Sequence, residues 1–382
     1  MATGTPLLAF VALGLPAGAI GVAWPYMRVS VGAPLAGLGL LIAGWTAAYF
    51  AVSAATGTLS TRLARPRLLT IACGLGAAGT LGFGAGTTWW MLGVASLAVG
   101  AGSGLIDATV NTQVSLTRGV RFMGWLHASW AVGAAVGPQA VVAALKLFSS
   151  WRPAFFAMAF VFTVTGLLIA LTHHDWVAAE HRRTEPRQAT YGRRGNQRLT
   201  VWLLIGVFLL GSGVEGTAGD WSFTHLTAGR LMTAGAAGVS VSLFWIGLAV
   251  GRIALGVLGD RVAPTRLLDI SLAAVVLGAL GFWLAPPIVA GFVALPVLGL
   301  AVSVIFPLLL SVTPARVGMT MTAHAVGYQL AAGTLGAGAF PAITGVVLQA
   351  AGLRALGPAL TLLALGLFVL HIGSRSSDRP GG

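Results

Sequence analysis

Acidic side chains inside apolar stretches are the residues of this sequence most able to do chemistry. The chain has 382 residues and nine Asp and Glu residues, and three of them, Asp107, Glu215 and Asp220, fall within long apolar stretches. An ionised carboxylate near the centre of a bilayer costs at least about 2.5 kcal/mol on insertion scales, so such residues are candidates for function. Burial favours the neutral acid. We therefore predict that Asp107 and Glu215 bind and release a coupling proton.

The surroundings of Asp107 suggest a polar stripe on one helix. Asn111 follows Asp107 by one helical turn, and Gly100 and Gly104 fall on the same face at helical spacing. We expect this stripe to face a cavity in which Asn111 donates hydrogen bonds to substrate hydroxyls. The alternative is an interhelical hydrogen bond that stabilises the bundle.

Aromatic and amide side chains are expected to complete a substrate site. An aromatic ring can pack on the apolar face of a sugar, while amides bind its hydroxyls. We predict this role for four residues: Trp130, His324, Tyr328 and Gln329. His127 can share a face with Trp130, although a packed imidazole bonded to a carbonyl is an equal alternative.

Two further charged residues of the apolar stretches are predicted to act in gating. Asp220 follows Glu215 by five residues, which turns a helix by about 140°, so the two do not share a face. We expect Asp220 to lie near the outer surface as a cap or gate. An arginine inside a span needs a charged partner or a route to the surface. We interpret Arg252 as one member of an ion pair that acts at the inner gate or in the structure.

The composition defines the elements that must position these residues. The chain is 57% hydrophobic and 8% charged, with a mean hydropathy of +0.89, whereas soluble proteins are about 25% charged. These values exclude a soluble enzyme, a disordered chain and a coiled coil. A spanning helix needs roughly 20 apolar residues. Twelve stretches qualify: 6–27, 34–60, 67–86, 88–117, 122–147, 152–173, 199–227, 235–259, 265–284, 287–313, 318–350 and 353–373.

Basic residues predict the orientation of these spans. If the N-terminus is cytoplasmic, the inside loops and the C-terminal tail carry sixteen basic residues and the outside loops carry five. We therefore expect a multi-pass protein of a bacterial-type cytoplasmic (inner) membrane with both termini in the cytoplasm. The net charge of +13 then indicates contact with anionic membrane lipid, and no nucleic acid is expected.

A basic linker divides the spans into two sets of six. We assign residues 1–175 to a first bundle, 176–198 to a cytoplasmic linker and 199–382 to a second bundle. The histidines of the linker lack the cysteines and the spacing of a metal site, so we predict no metal. The turn after the second span reads GTLSTR at 57–62, and the turn after the eighth reads GVLGDR at 256–261.

These repeated turns and the six-plus-six layout resemble the major facilitator superfamily. The resemblance implies an all-α membrane protein with twelve transmembrane helices in two pseudo-symmetric six-helix bundles. It also implies gating roles for Asp260, Arg261 and Arg62. The first turn departs from the family pattern, because Thr61 stands where the family usually has Asp, so the resemblance does not imply a charge-mediated gate on that side.

Three short stretches resemble the fucose:proton symporter-like branch of this superfamily. They are GAGSGLIDATVN at 100–111, LHASWAVGAAVGP at 126–138 and EGTAGDWS at 215–222. The first span lacks the carboxylate that the fucose transporter carries there, so fucose itself is not implied.

The residues and the resemblance together predict a secondary active transporter. It would move a small polar solute, a sugar or polyol, by proton-coupled alternating access, as a monomer; Na⁺ is left open as the coupling ion. The alternative is a proton-antiport exporter of drugs or hydrophobic metabolites, whose signature residues 133–138 partly resemble. A receptor without transport activity is a third class. The sequence has no nucleotide-binding loop and no catalytic triad, so we expect neither an enzyme nor a cofactor.

Overall fold

The computed structural model describes residues 4–117, 120–172, 197–258 and 262–376. This part of the chain contains twelve helices that are long and apolar enough to cross a membrane, which confirms the predicted fold class. Asp260, Arg261 and most of the predicted linker lie outside the described residues.

The helices follow each other through short turns. The first six are α1 Gly4–Ser30, α2 Gly37–Arg62, α3 Arg65–Ala85, α4 Trp89–Thr117, α5 Val120–Phe148 and α6 Arg152–Leu171. The second six begin with α7 Gln197–Thr224, α8 Ala234–Leu258 and α9 Pro264–Leu284, and end with α11 Met319–Ala351 and α12 Leu356–Ser376. We call α1–α6 the N-terminal half and α7–α12 the C-terminal half.

Helix α10 is interrupted. Its pieces are Pro287–Val289, Leu295–Ser303 and Ile305–Val317, with a π-helical turn at Ala290–Ala294. Pro296 and Pro307 follow the two interruptions, and each removes an N–H that a regular helix would use.

Small residues bring the helices of the N-terminal half close together. On α1, Gly14 and Gly18 lie against backbone carbonyls of α5, and on α5 Gly133 and Gly137 lie against carbonyls of α1. A Cβ at any of these positions would overlap a backbone atom. Glycine therefore fixes the α1–α5 distance, as small residues do in other membrane bundles.

The C-terminal half repeats this arrangement. Helix α7 packs on α11, where Gly336 lies against the backbone of Leu209 and the indole N–H of Trp221 donates to the Pro341 carbonyl at 2.9 Å. Helix α8 packs on α10 through Gly299, just as α2 packs on α4 in the first half. The two halves are thus pseudo-symmetric.

The two halves meet mainly along three helix pairs, α1 with α7, α2 with α11 and α5 with α8. Between α2 and α11 the backbone N–H of Ala36 donates to Gln349 Oε1 at 2.9 Å, and Gly39 lies against Ala342. These contacts fall near the start of α2 and the end of α11. They are therefore at the end of the molecule opposite to the one where α6 ends and α7 begins, which we call the linker end.

The α5–α8 contacts lie at the same closed end. Ser242 Oγ donates to the Ala135 carbonyl at 2.7 Å, and the Gln139 amide donates to Ser242 Oγ at 3.0 Å. Nearer that end, Gly238 lies against Val142. The halves are therefore joined by uncharged contacts at the end away from the linker.

Toward the linker end, the same helices expose their side chains. His324 and Tyr328 continue, at spacings of three or four residues, the face of α11 that carries Ala342 and Gln349. His324 is exposed, and Tyr328 is 56% exposed. A face that is covered by the other half at one end is thus open at the other, which describes a cleft between the halves that opens toward the linker end.

Candidate functional site

Asp107 on α4 accepts two hydrogen bonds. The Tyr49 hydroxyl on α2 donates to Oδ2 at 2.7 Å, and the Asn111 amide donates to Oδ1 at 3.0 Å. Two donors of this kind stabilise a carboxylate. The Asn111 amide oxygen is buried and has no hydrogen-bond partner among the described residues, so it remains able to accept one from a ligand.

The stripe of Gly100, Gly104 and Asp107 was predicted to face a cavity, but part of it faces α2. Gly100 and Gly104 lie directly against the backbone of Trp45 and Tyr49, so this part of the stripe is covered and not open to a cavity. The reason is that glycines allow α2 to approach α4 closely. Asp107 itself keeps intermediate exposure.

Tyr49 is a residue of the site that the sequence analysis missed. It is one of several hydroxyl residues in an apolar stretch, and nothing in the spacing of α2 alone distinguishes it from a packing residue. The available signal was Gly104, because a glycine one turn before a buried carboxylate indicates where another helix approaches and can supply a donor.

Glu215 on α7 and Arg252 on α8 form an ion pair. Arg252 Nη2 lies 3.8 Å from Glu215 Oε1, and the side chains are 19% and 23% exposed, respectively. The antiparallel packing of the two helices explains the pair, because Gly219, one turn after Glu215, lies against the Trp245 ring. Arg252 follows Trp245 by two turns on the same face.

Arg252 also contacts the other half of the molecule. Its guanidinium carbon lies 5.8 Å from the centre of the Trp130 ring on α5, within the range of a cation–π interaction. Trp130 packs edge-on against Trp245 with a centroid distance of 5.4 Å. Trp130 and Arg252 therefore lie together where α5 meets α8.

The remaining predicted substrate residues divide into two groups. His324 and Tyr328 lie on the open part of the α11 face, as described above. Gln329 is fully buried, and its amide donates to Thr313 Oγ1 on α10 at 2.9 Å. The Gln329 side chain thus points into the C-terminal half in this structure, and its substrate contact stays a prediction.

His127 packs within the N-terminal half, edge-on to Phe10 with a centroid distance of 5.6 Å. The imidazole also lies within electrostatic range of the Arg252 guanidinium.

The predicted gating residues lie at different ends. The backbone of Asp220 packs on Gly21 of α1 at the closed end. The Asp220 carboxylate has no hydrogen-bond or ion-pair partner among the residues that the structure describes. Arg62 is exposed at the last position of α2, on the linker end. Within the described ranges, no group of three or more His, Cys, Asp and Glu side chains is arranged to hold a metal ion.

Comparison with known proteins identifies relatives of this chain. A family model described as Major Facilitator Superfamily matches residues 7–341. A curated protein of Saccharomyces cerevisiae (strain ATCC 204508 / S288c), Bypass of stop codon protein 6, is 25% identical over 316 residues. The match covers 72% of this chain and 62% of that protein, so the chain spans less than two thirds of its length.

Solved structures share the fold over nearly the whole chain. The nucleoside transporter NupG matches with a TM-score of 0.74 and 17% identity and covers 100% of both chains. A bacterial homolog of the human lysosomal transporter Spinster, solved in an inward-facing and occupied conformation, matches with a TM-score of 0.71 and 15% identity, covering 99% of this chain and 97% of its own. At these identities the likeness concerns the fold.

Proposed function

Because the chain belongs to the major facilitator superfamily, and is thus a transporter and not an enzyme, we propose that it is a secondary active carrier of a small polar solute, a sugar or polyol, coupled to protons. The observation that carries the proposal is the carboxylate of Asp107 between the Tyr49 hydroxyl and the Asn111 amide. An ionisable residue inside a membrane span is costly, which makes it a candidate for function.

The geometry around Asp107 supports the coupling of solute and proton. An ionised Asp107 accepts hydrogen bonds from both neighbours. Once protonated, it has one acceptor fewer, so that Tyr49 or Asn111 can turn toward a solute hydroxyl. The unpartnered amide oxygen of Asn111 supplies an acceptor at the same place. The proton and a polyhydroxylated solute would then alter the same hydrogen bonds, which is what coupling requires.

The closed and open ends support alternating access. On the orientation that the basic residues favour, with the linker in the cytoplasm, the described state is inward-facing. The halves would rock about a central site between them. The opposite state requires the uncharged contacts of the closed end to separate, and contacts of about 0.5–1.5 kcal/mol each permit this.

The experiment is a flux measurement on purified protein in liposomes that contain a trapped pH dye. The panel holds monosaccharides, polyols, nucleosides and lipophilic cations; nucleosides are included because one fold neighbour transports them. We expect a sugar or polyol to trigger acidification of the liposome interior. Proton movement triggered only by lipophilic cations would instead establish the exporter function and refute the proposal.

A further inference from the structure

Arg252 has hydrogen-bond donors that the protein does not use. A guanidinium has five N–H donors, yet Glu215 lies 3.8 Å away, beyond hydrogen-bond distance. No hydrogen bond joins Arg252 to any of the described residues. The side chain is 19% exposed, so these donors can be reached by an acceptor that enters the space between the halves.

Structural arginines of the same chain are bonded differently. Arg152 donates to the carbonyls of Gly84 and Gly86 at 2.7 and 2.8 Å. Arg230 donates to the Ala285 carbonyl at 2.6 Å. Both therefore cap helix ends, the usual way to satisfy a guanidinium near a membrane surface. Arg252 has no such carbonyl, although it is more deeply placed, and this contrast indicates that its donors are kept for a ligand.

A second unused donor lies on the same face of α8. The indole N–H of Trp245 is buried, with 4% of the residue exposed, and has no acceptor among the described residues. Trp245 precedes Arg252 by two turns. Trp130 adds an aromatic surface from the other half, 5.8 Å from the guanidinium. Two donors, one of them charged, and an aromatic wall are suited to an anionic, planar acceptor.

We propose that Arg252 binds a carboxylate of the transported solute, so that the substrate class is a sugar acid or polyol acid. This inference rests on the proposed function and names its substrate class. A carboxylate matches the fork of the guanidinium in a bidentate pair. A single arginine balances one negative charge, which favours a monocarboxylate over a phosphate dianion.

Glu215 links this binding to the proton. As a carboxylate, Glu215 is the counter-ion of Arg252 and competes with the solute. When Glu215 takes a proton from the outer solution, Arg252 loses that counter-ion and can bind the solute anion; release of both at the linker end restores the ion pair. One proton on Glu215 then accompanies one solute anion, beside the proton on Asp107, and accumulation requires both. Among the described residues, the ionisable groups that face Arg252 are Glu215 on α7 and His127 on α5.

The test compares acids with their neutral counterparts. The two pairs are gluconate with sorbitol and glucuronate with glucose. Each compound is tested on purified wild-type protein by competition binding and on liposomes that contain a trapped pH dye. Glucose 6-phosphate is tested separately. We expect the carboxylates to bind and move protons, and Arg252→Gln to weaken their binding by ~10-fold or more. Arg252→Lys should retain part of it.

The matched control is Arg354→Gln, which removes an exposed arginine and should leave binding unchanged. Equal binding of acids and their neutral counterparts would overturn the inference, and so would a preference for the sugar phosphate. Both outcomes are measured on the wild-type protein, so the test remains available if Arg252→Gln fails to fold. Proton movement with sorbitol that Arg252→Gln leaves intact would refute the inference and leave the proposed function standing. No movement with any polar solute would refute both.

Discussion

Cross-linking α2 to α11 at their closed ends is expected to stop transport completely, and reducing the cross-link is expected to restore it. The Ala36 N–H donates to Gln349 Oε1 at 2.9 Å across the two halves, so a short bifunctional thiol reagent can join cysteines at these positions. Cys73, the single native cysteine, is buried and is replaced by alanine. A carrier held closed at one end cannot exchange its site between the two sides.

The control for this experiment is a cross-link within one half at the same end of the molecule. A Cβ at Gly229 would lie 3.2 Å from Leu353 Cβ, so Gly229→Cys with Leu353→Cys joins the turn that follows α7 to the turn that precedes α12. This pair should form and leave transport intact, because the C-terminal half moves as a body. Undiminished transport by the Ala36→Cys and Gln349→Cys protein after complete cross-linking would contradict alternating access by these halves.

Asp107→Asn is expected to abolish uphill accumulation of the solute while exchange of solute across the membrane persists. The amide oxygen of asparagine can still accept from Tyr49, so the local packing is retained, but the side chain no longer binds and releases a proton. Accumulation should therefore fall to simple equilibration. The measurement is uptake of radiolabelled solute into liposomes under an imposed pH gradient, beside solute counterflow with no gradient.

The matched control for Asp107→Asn is Asp269→Asn. The Asp269 carboxylate bonds His371 on α12 at 2.7 Å, so this variant also removes a carboxylate that joins two helices, but on α9 and α12, which do not contact the other half in the pairs described above. It should accumulate solute. If Asp107→Asn accumulates solute as well as Asp269→Asn does, Asp107 does not carry the proton.

The sequence predicts the twelve-helix fold because each span is a continuous apolar stretch of the required length. The sequence is less informative about which side chains of different helices contact each other. The Glu215–Arg252 pair depends on the antiparallel register of α7 and α8, which the contact of Gly219 with Trp245 fixes in space. Gln329 was predicted to line the substrate site together with its neighbour Tyr328. Consecutive residues of a helix differ by about 100° in direction, so the Gln329 side chain points away from the cleft and bonds Thr313.

Tyr49 shows a further limit. A hydroxyl in an apolar helix has no sequence context until the neighbouring helix is known, and it was the packing of α2 on Gly104 that brought it to Asp107. The division into residues 1–175, 176–198 and 199–382 stays a prediction, because residues 173–196 lie outside the described part of the chain. The gating roles of Asp260 and Arg261 stay predictions for the same reason.

The central claim is that solute movement is coupled to protons, and the most direct test is the accumulation of the solute by wild-type protein in liposomes as a function of the imposed pH gradient. The account predicts accumulation when the interior is alkaline, a steady-state ratio that rises with the gradient, and loss of accumulation when a protonophore is added. A ratio that stays at equilibrium at every pH gradient, or that follows an imposed Na⁺ gradient instead, would contradict it.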